Sequence, residues 1–339
     1  MKAIILEKAE GRLKPAAVTT PEPGEGEVLV QLKAAAINHR DLWIRKGTYP
    51  TTQYPCVLGS DGAGIVVACG PGTDPALKGN AVLINPSIHW GDQRTAQGGD
   101  FQILGVPRQG TFAEFVSVPT ENVYDIPDGY RFEHAAALPL AGLTAFRALF
   151  YRGDLKPFEK VLITGAGGGV AGFLITFAVK ARAEVYVTSS SPQKIRHAVE
   201  MGCEGGACYT ETGWEKELLD QVPGGFDLIV DGAGGPAFHA LLKLVKAGGK
   251  IVTYGATAGP IPEISPRQVF YRQIGIMGTT MGSPHDFESM LEFVTEHNVR
   301  PQVRKAFPLE QAEEAFRYLE NQKHFGKVVL TVENDTPSE

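Results

Sequence analysis

A glycine-rich stretch in the middle of the chain has the residue types and spacing that bind a phosphate group. Residues 160–181 read KVLITGAGGGVAGFLITFAVKA, which predicts an apolar strand, a glycine turn and an apolar helix. In this context glycines let the backbone approach a pyrophosphate, and the N–H groups of the helix N-terminus stabilise its charge. The fingerprint fits in two registers, Gly167-x-Gly169-x-x-Gly172 and Ala166-x-Gly168-x-x-Ala171. Either register predicts a dinucleotide site that contains Ala166, Gly167, Gly168, Gly169 and Val170.

The strand after this helix ends in residues that indicate which dinucleotide binds. Residues 185–196 read VYVTSSSPQKIR and place no acid at the strand end, where a carboxylate would hold the ribose of NAD. Ser189, Ser190 and Lys194 instead offer hydroxyl groups and a positive charge to a 2′-phosphate. This pattern favours NADP(H) over NAD. The alternative is that the serines cap the next helix and that Lys194 lies on its solvated face.

Two later apolar strands also end in small or polar residues. Gly255 and Ala256 follow the first in TYGATAG, and Thr279, Thr280 and Met281 follow the second in GIMGTTMG. A doubly wound sheet binds its ligand at the carboxyl ends of its strands. We therefore predict that these five residues contact the cofactor.

The chain changes character between its first and second parts. Residues 2–127 contain short runs with period-two alternation, punctuated by glycine and proline, which predict a β-rich, barrel-like domain. From about residue 131 onwards, apolar strands alternate with helices. That alternation predicts a parallel sheet covered on both faces, which is a doubly wound α/β domain.

The totals for the whole chain exclude several classes of protein. At 339 residues the chain is expected to form about two domains. The formal net charge of −6 and the lack of a dense Lys/Arg block argue against nucleic-acid and membrane partners. Its four cysteines show neither metal spacing nor a disulfide framework. We expect a cytoplasmic protein with a small-molecule substrate.

Five segments together resemble the medium-chain dehydrogenase/reductase superfamily. They are NHRDLWIRKGTY, LGSDGAGIVVACGPG, AALPLAGLTAF, VLITGAGGGVAG and GKVVLTV, and they lie in the right order along essentially the whole chain. The resemblance implies an α/β fold: a GroES-like β-barrel catalytic domain (residues 1–130 and 285–339) plus a doubly wound Rossmann coenzyme domain (residues 131–284). It further implies that Thr144 lies near the nicotinamide. Lys327 resembles a late cofactor contact, although a structural cap explains it equally well.

Zinc-containing members of this superfamily carry the ligands of their catalytic metal in three of these segments. The matching positions here hold Asn38, Ser60, and Leu140 or its neighbour Pro139. Because zinc takes thiolate, imidazole or carboxylate ligands, we predict that the catalytic metal is absent.

Residues 86–110 have the length of a lobe that zinc-containing members clamp with four cysteines on a structural zinc, but they contain no cysteine. We predict that the lobe is retained and is held by apolar packing instead. The residues expected to pack are Ile88, Trp90, Phe101, Ile103 and Leu104. The alternative is a disordered insertion.

Without these ligands, the chain is more similar to the zinc-free quinone oxidoreductase-like branch of the superfamily, which reduces quinones and enones. The pattern N-x-x-D-x-x-x-R-x-G-x-Y of that branch is matched by Asn38, Asp41, Arg45, Gly47 and Tyr49. A Ser-x-x-x-Lys pair followed by a tyrosine is matched by Ser190, Lys194 and Tyr209. The matching tyrosine strengthens the prediction of NADP(H).

The resemblance also suggests roles for residues near the vacated metal position. Tyr49 is the candidate proton donor, because related enoyl reductases use a tyrosine at this place; the alternative is a tyrosine packed at the barrel surface. Asn38 either donates to a cofactor or substrate oxygen or braces its turn. Asp41 and Arg45 are expected to share an ion pair that orients the loop, in preference to direct chemistry. Ser60 either bonds to the substrate or has no role.

The predicted activity is metal-free transfer of a hydride from NADPH to a quinone or an α,β-unsaturated carbonyl compound. Hydride addition to an electron-poor carbon needs only hydrogen-bond donors and a proton, whereas alcohol oxidation benefits from a Lewis acid. The alternatives are an alcohol or aldehyde dehydrogenase, and a non-catalytic NADPH-binding protein similar to zeta-crystallin. The strand KIVTYGA is predicted to lie near the edge where two copies join, giving a homodimer or a homotetramer.

Overall fold

The computed structural model describes residues 1–50, 52–321 and 325–333, which divide into two compact units. The first unit consists of Met1–Ala141 and Gly282–Glu339, and the second of Gly142–Met281. The boundaries between the two units therefore fall at 141/142 and 281/282. The sequence-based prediction was 130/131 and 284/285.

In the described residues, the first unit opens with ten strands and one α-helix, because its sequence alternates apolar and polar residues in short runs between glycines and prolines. The elements are β1 (Lys2–Leu6), β2 (Leu13–Ala17), β3 (Glu27–Ala36), α1 (His39–Arg45), β4 (Cys56–Val57), β5 (Asp61–Cys69), β6 (Ala81–Ile84), β7 (Ser87–Ile88), β8 (Gln102–Ile103), β9 (Phe115–Pro119) and β10 (Val123–Asp125). Strand β3 is central, since it pairs antiparallel with both β5 and β9. Its inward residues Val28, Val30 and Leu32 are fully buried.

Alternating helices and strands follow. They are α2 (Phe132–Ala137), α3 (Pro139–Phe146), β11 (Lys160–Ile163), α4 (Gly169–Lys180), β12 (Glu184–Ser189), α5 (Pro192–Glu200), β13 (Gly205–Cys208), α6 (Trp214–Gln221), β14 (Phe226–Asp231), α7 (Phe238–Leu244), β15 (Val245–Thr253), α8 (Pro266–Phe270) and β16 (Gly275–Gly278). Pro139 separates α2 from α3, because proline has no N–H to continue the first helix. A π-helical segment, Arg147–Arg152, extends α3.

The end of the chain returns to the first unit. It contributes α9 (Pro284–Glu296), β17 (Val303–Pro308), α10 (Ala312–Glu320) and β18 (Lys327–Thr331). Strand β18 pairs with β3, so that β10-β6-β5-β3-β18-β17 form one sheet, with β9 also on β3, beside a smaller sheet β2-β1-β4. Phe316 of α10 packs edge to face on Phe112, with ring centroids 6.0 Å apart, and completes the apolar core. Among the described residues, no helix combines the length and apolar character needed to cross a membrane.

Residues 86–110 form a lobe held by apolar packing, which confirms that prediction. Strand β7 pairs with β8, and Trp90 packs edge to face on Phe101 with ring centroids 5.3 Å apart. Ile88, Trp90 and Leu104 are buried, while Phe101 and Ile103 are partly buried. Full burial of an aliphatic side chain such as Ile88 contributes about 1.5–3 kcal/mol. This packing holds the lobe without a cysteine clamp.

The second unit is built on six parallel strands in the order β13-β12-β11-β14-β15-β16. Its core contains Phe226, Phe238 and Ile251, all fully buried between the sheet and its helices. From β11 the chain first adds β12 and β13 on one side of the sheet, and then returns to add β14, β15 and β16 on the other side. The order of the strands therefore reverses between β11 and β14. Ligands of doubly wound sheets bind at such a switch point, at the carboxyl ends of the strands.

The strand KIVTYGA, predicted to lie near the edge where two copies join, is the direct neighbour of an edge strand. KIVTYGA lies in and just after β15, which is hydrogen-bonded to β14 on one side and to β16 on the other. The edge strand on that side of the sheet is β16, whose Ile276 has 36% of its surface exposed. Two consecutive apolar strands look alike in sequence, and only the pairing distinguishes them.

Candidate functional site

The glycine-rich turn joins β11 to α4 at the carboxyl edge of the parallel sheet. Gly165 and Gly167 have φ values of 73° and 117°, a region in which a side chain would be strained. A Cβ atom at Gly167 would lie 2.7 Å from Lys194 Cδ and 3.0 Å from its Nζ. Bare backbone beside an ammonium group, at the start of a twelve-residue helix, fits the phosphates of a dinucleotide.

The structure favours one of the two glycine registers that the sequence left open. Gly168 is the N-cap of α4, and Ala171, the third position of the register that begins at Ala166, is only 1% exposed. That burial is what close packing of the helix on the sheet requires of the third position. Gly172, the third position of the other register, is partly exposed. The fingerprint therefore reads Ala166-x-Gly168-x-x-Ala171.

The residues predicted to bind a 2′-phosphate gather at the ends of β12 and β13. Ser189 is buried and its hydroxyl donates to Ala166 O at 3.3 Å, which ties this strand end to the glycine turn. Ser190 is exposed, and Tyr209, 45% exposed, is held beside it because its N–H donates to Ser189 O at 3.1 Å. Partial burial lowers the pKa of Lys194.

The sequence left open that the serines after β12 only cap the next helix, α5. In the structure a single serine provides this cap. Ser191 is the N-cap of α5, and its hydroxyl accepts from the Lys194 N–H at 3.4 Å. Ser190 takes no part in the cap.

Most of the other predicted cofactor residues of this unit follow neighbouring strand ends, whereas Thr144 lies in α3 and Val170 in α4. Gly255 and Ala256 are exposed after β15, and the Thr279 N–H donates to Thr253 O at 2.9 Å. The Thr279 hydroxyl is buried and has no hydrogen-bond partner among the described residues. Such an orphaned group is costly unless a ligand satisfies it. The remaining members of the set are Val170 and Thr280, partly exposed, and Met281 and Thr144, buried.

Sequence reasoning missed a buried carboxylate at this edge. Asp231 ends β14, and one of its oxygens accepts from the Thr164 hydroxyl at 2.7 Å. Its other oxygen accepts from the Gly234 N–H at 2.8 Å. Asp231 thereby fixes the ends of β11 and β14, the two strands at the switch point. An acid ending the apolar run FDLIV was the available signal, because buried acids are rare unless paired.

A second polar cluster lies in the first unit and is centred on Asp61, at the start of β5. Asp61 is fully buried, and its Oδ1 accepts from the Leu140 N–H at 2.8 Å. Its Oδ2 accepts from Asn38 Nδ2 at 2.9 Å and from Lys327 Nζ at 3.1 Å. One carboxylate thus joins β5 to α1, α3 and β18. The signal in the sequence was again an acidic residue at the end of an apolar strand, here at the start of DGAGIVVAC, which indicates a buried and paired carboxylate.

Arg40 forms the other half of this cluster. Its guanidinium is only 8% exposed and donates to Ser60 Oγ at 2.6 Å, to Leu104 O at 2.9 Å and to Val106 O at 3.2 Å. The guanidinium also lies over the ring of Tyr49, 4.9 Å from its centroid. Arg40 therefore connects Ser60 to the lobe of residues 86–110 and fixes one face of Tyr49.

The predicted ion pair between Asp41 and Arg45 is wrong. One Asp41 oxygen accepts from the Asn38 N–H at 2.8 Å, and the other accepts from the Gly59 N–H at 3.3 Å. Arg45 instead pairs with Glu313 of α10 at 3.0 Å. Backbone donors satisfy Asp41 at the start of α1, so Arg45, at the end of that helix, is left to reach across to α10.

Burial is the main influence on the Asp41 carboxyl. It raises the pKa of Asp41 to about 6, against the charge of Arg40 and the two backbone hydrogen bonds, which lower it. The nearby charge of Asp61 adds to the rise.

Asn38 and Lys327 bind each other. Asn38 Oδ1 accepts from Lys327 Nζ at 2.5 Å, while Asn38 Nδ2 donates to Asp61 and, at 3.5 Å, to Ala36 O. Both amide hydrogens of Asn38 are therefore used internally, which favours the bracing role over donation to a ligand. Lys327 is 4% exposed, and its ammonium serves this network, so the structure supports the internal role that was the alternative to a cofactor contact.

Comparison with known proteins identifies relatives along most of the chain. Residues 24–128 match the family model "Alcohol dehydrogenase GroES-like domain" and residues 202–330 match "Zinc-binding dehydrogenase". The zinc-type alcohol dehydrogenase-like protein YogA of Leptosphaeria maculans is 34% identical over 334 residues, 93% of each chain. An acryloyl-coenzyme A reductase of Sulfurisphaera tokodaii is 26% identical over 97% of this chain and 99% of its own.

Solved structures show the same two-domain fold. An NAD-dependent alcohol dehydrogenase aligns with a TM-score of 0.92 at 38% identity, covering 98% of this chain and all of the other. Mycobacterial Rv1454c complexed with NADPH aligns with a TM-score of 0.83 at 26% identity, covering 98% and 99%. Fold and dinucleotide site define an oxidoreductase that uses a nicotinamide cofactor. The chain belongs to the medium-chain dehydrogenase/reductase superfamily, with the predicted GroES-like and Rossmann-type domains.

The family names imply a zinc ion, and the residues of this chain do not fit one. The three positions that the resemblance assigns to zinc ligands hold an amide in Asn38, a hydroxyl in Ser60, and an aliphatic side chain in Leu140 or its neighbour Pro139. The hydroxyl accepts from a cation, Arg40. In the described part of the chain no group of three His, Cys, Asp or Glu side chains is arranged to hold a metal.

Proposed function

We propose that this chain is an NADPH-dependent reductase that transfers a hydride, without a catalytic metal, to a quinone or an α,β-unsaturated carbonyl compound. The observation that carries the proposal is the chemistry of the three ligand positions: Asn38, Ser60, and Leu140 or Pro139 offer no thiolate, imidazole or carboxylate. Oxidation of an alcohol profits from a Lewis acid on its oxygen. Reduction of an electron-poor C=C bond needs only donors to the developing enolate and a proton.

The proposed cofactor is NADP(H). Support comes from Ser190, Lys194 and Tyr209, which share one corner of the second unit, and from the lack of an acid at the end of β12. A carboxylate there would repel a 2′-phosphate, whereas an ammonium group attracts it. The relative solved with NADPH supports the same choice.

The residues divide the work of holding the cofactor. The turn of Gly167 and Gly168 binds the pyrophosphate against the N-terminus of α4. Ser190 and Lys194 hold the 2′-phosphate. The Thr279 hydroxyl, which has no partner among the residues that the structure describes, serves the nicotinamide end of the cofactor at the edge of the sheet. When bound, the nicotinamide supplies the hydride.

Tyr49 provides the proton in this proposal. Hydride addition at the β-carbon pushes charge onto the carbonyl oxygen, and a phenol can donate to the enolate that results. Arg40 covers one face of the Tyr49 ring and thereby restricts its position. The acryloyl-coenzyme A reductase among the relatives is named for a substrate with the same conjugated C=C–C=O group.

A second candidate is an alcohol dehydrogenase that works without a metal. It is favoured by the names of the 34% identical relative and of the 38% identical structure, the latter NAD-dependent.

One assay separates the two candidates. NADPH and NADH oxidation are followed with 1,4-quinones, enones and enals, and NADP and NAD reduction with primary and secondary alcohols. We expect NADPH oxidation with at least one conjugated acceptor at a kcat/KM well above any alcohol reaction. Alcohol oxidation alone, or a preference for NADH, would contradict the proposal.

A further inference from the structure

A buried arginine in the first unit has only neutral hydrogen-bond acceptors. The Arg40 side chain donates to the Ser60 hydroxyl and to the carbonyl groups of Leu104 and Val106. Its Nε–H is buried and meets no acceptor among the residues that the structure describes. Asp41, the next residue in the chain, uses its two oxygens to accept from backbone N–H groups. Within the described chain, the charge of Arg40 is therefore not paired with an anion at hydrogen-bond distance.

Two hydroxyl groups beside this guanidinium also lack acceptors. Ser60 is fully buried, and its oxygen accepts from Arg40, but its O–H hydrogen has no acceptor in the described part of the chain. The guanidinium lies over the ring of Tyr49, and no described residue accepts from the Tyr49 hydroxyl. A buried donor without an acceptor keeps the cost of its desolvation. The cluster of Arg40, Ser60 and Tyr49 therefore has donors in excess and a positive charge.

The donors of this cluster are held in place by the lobe of residues 86–110. Gly105 has a φ of 99°, and a Cβ atom there would lie 2.7 Å from Gly59 O and 3.2 Å from Arg40 Nη1. Glycine at this position therefore permits the guanidinium to lie close to the lobe backbone. Leu104 and Val106, on either side of it, supply two of the three acceptors. Donors that are fixed in this way stabilise a developing charge well, because they need no reorganisation during the reaction.

An oxygen atom that becomes negatively charged is the ligand that such a cluster fits. We propose that Arg40 Nε and the Ser60 hydroxyl donate to the carbonyl oxygen of the conjugated acceptor, and that they form the oxyanion site of the reductase. This rests on the proposed function, because the oxygen is that of an enone, enal or quinone. The guanidinium adds charge to its own hydrogen bond and polarises the Ser60 hydroxyl that it binds.

The site acts while the oxygen carries a charge. Hydride addition at the β-carbon moves the C=C electron pair into a new bond to the carbonyl carbon and places the C=O pair on oxygen. A proton from Tyr49 then reaches the α-carbon, the C=O bond re-forms, and the phenolate regains a proton from water. Because Tyr49 is partly exposed whereas Arg40 and Ser60 are buried, the carbonyl oxygen reaches the two donors past the Tyr49 ring. One cluster thus holds the oxygen and supplies the proton.

Binding of a stable oxyanion tests the site without relying on turnover. The probe is 4-nitrophenol, because its phenolate spreads a charge from oxygen over a conjugated system, as an enolate does, and its visible absorption distinguishes phenol from phenolate. Its dissociation constant is measured at pH values below and above its own pKa, with and without NADP⁺. We expect the unmodified protein to bind the phenolate about 100-fold more tightly than the phenol, since charge strengthens each hydrogen bond.

Four variants assign the preference for phenolate to the two residues. Ser60→Ala and Arg40→Met should each reduce it about 10-fold or more, and Arg40→Lys should retain part of it because the charge remains. Thr111→Val is the matched control for loss of a buried hydroxyl, since the Thr111 hydroxyl donates to a backbone carbonyl of β5. We expect this control to keep the full preference. Circular dichroism and thermal midpoints establish that each variant is folded, and Ser60→Ala decides if Arg40→Met does not fold.

Equal affinity of the unmodified protein for phenol and phenolate would overturn the oxyanion site. A preference that Ser60→Ala keeps in full, or that Thr111→Val loses to the same extent as Ser60→Ala, would overturn it as well. These outcomes are distinct from failure of the proposed function. A preference for phenolate that depends on Ser60, in an enzyme that turns over alcohols alone, would contradict the reductase and leave the oxyanion site standing. Reduction of enones without any such preference would do the reverse.

Discussion

The carboxylate of Asp61 and the ammonium of Lys327 form an ion pair at 3.1 Å, and the two side chains are 0% and 4% exposed. The residues stand 266 positions apart in the sequence. Each charge depends on the other, because a buried charge without its partner keeps the full cost of desolvation.

Removing Lys327 alone is therefore expected to harm the protein more than removing both charges. Lys327→Met should lower the free energy of unfolding by about 3–5 kcal/mol. Lys327→Met combined with Asp61→Asn should recover part of this loss. The Asn38 side chain can turn over, so that its oxygen accepts from the NH₂ group that the second substitution introduces at position 61. Urea unfolding of both variants measures the difference. A double variant that is less stable than the single one would show that the charges are not coupled in this way.

The raised pKa of Asp41 predicts a specific pH dependence of stability. Its pKa rises from 3.8 to about 6 in the folded protein, so the protonated form is favoured there. Protonation of Asp41 therefore stabilises the folded protein fully below the unfolded pKa of 3.8, and this stabilisation is lost as the pH rises through the folded pKa of about 6. From pH 4 to pH 7, the unfolding free energy relative to Asp41→Asn should fall by about 2–3 kcal/mol.

Urea unfolding at several pH values measures this trend, with Asp125→Asn as the control because Asp125 is exposed on β10. The difference in unfolding free energy between the unmodified protein and Asp125→Asn should not change with pH. A difference for Asp41 that stays constant, or grows with pH, would contradict the assignment.

Tyr49→Phe tests the proposed proton donor. We expect kcat for the conjugated acceptor to fall roughly 10²-fold or more, with the KM for NADPH unchanged, because proton transfer is lost and cofactor binding is not. Tyr54→Phe is the matched control, since the Tyr54 hydroxyl donates to Ile44 O at 2.7 Å and serves the fold. Equal kcat in Tyr49→Phe and the unmodified enzyme would assign the tyrosine to packing alone.

Lys194→Met tests the choice of cofactor. Loss of a charge-assisted contact should reduce kcat/KM for NADPH about 10- to 100-fold and leave the value for NADH nearly unchanged. Arg196→Met, two residues further along α5 and exposed, should change neither value. If both cofactors lost affinity equally, Lys194 would be assigned to the pyrophosphate or to the loop instead of the 2′-phosphate.

The edge strand β16 predicts self-association. Its backbone is unpaired on one side within the described chain, and a second copy would cover it. Ile276→Glu should shift the protein towards the monomer in size-exclusion chromatography with light scattering, whereas Ile261→Glu, at the same exposure off the sheet, should not. A monomeric unmodified protein would rule this association out.

Local signals in the sequence were sufficient for the dinucleotide site. The strand, glycine turn and helix of residues 160–181 follow one another directly, and Ser190 and Tyr209 meet because β12 and β13 are parallel neighbours. Patterns of this kind depend on spacing within one or two elements, which a sequence displays.

The polar cluster around Asp61 was not predictable in the same way. The sequence suggested the ion pair with the shortest separation, Asp41 with Arg45, at a spacing that often pairs on a helix. The structure joins Arg45 to Glu313 instead, a residue 268 positions away. Such pairs depend on which strands and helices become neighbours, and only the assembled fold determines that.

The most direct test of the central claim is turnover of metal-stripped protein. The enzyme is treated with a strong chelator, its zinc content is measured, and NADPH oxidation with the best conjugated acceptor is followed before and after. We predict an unchanged kcat with no stoichiometric zinc at any stage. Stoichiometric zinc, with activity that disappears on chelation and returns on its readdition, would contradict the account.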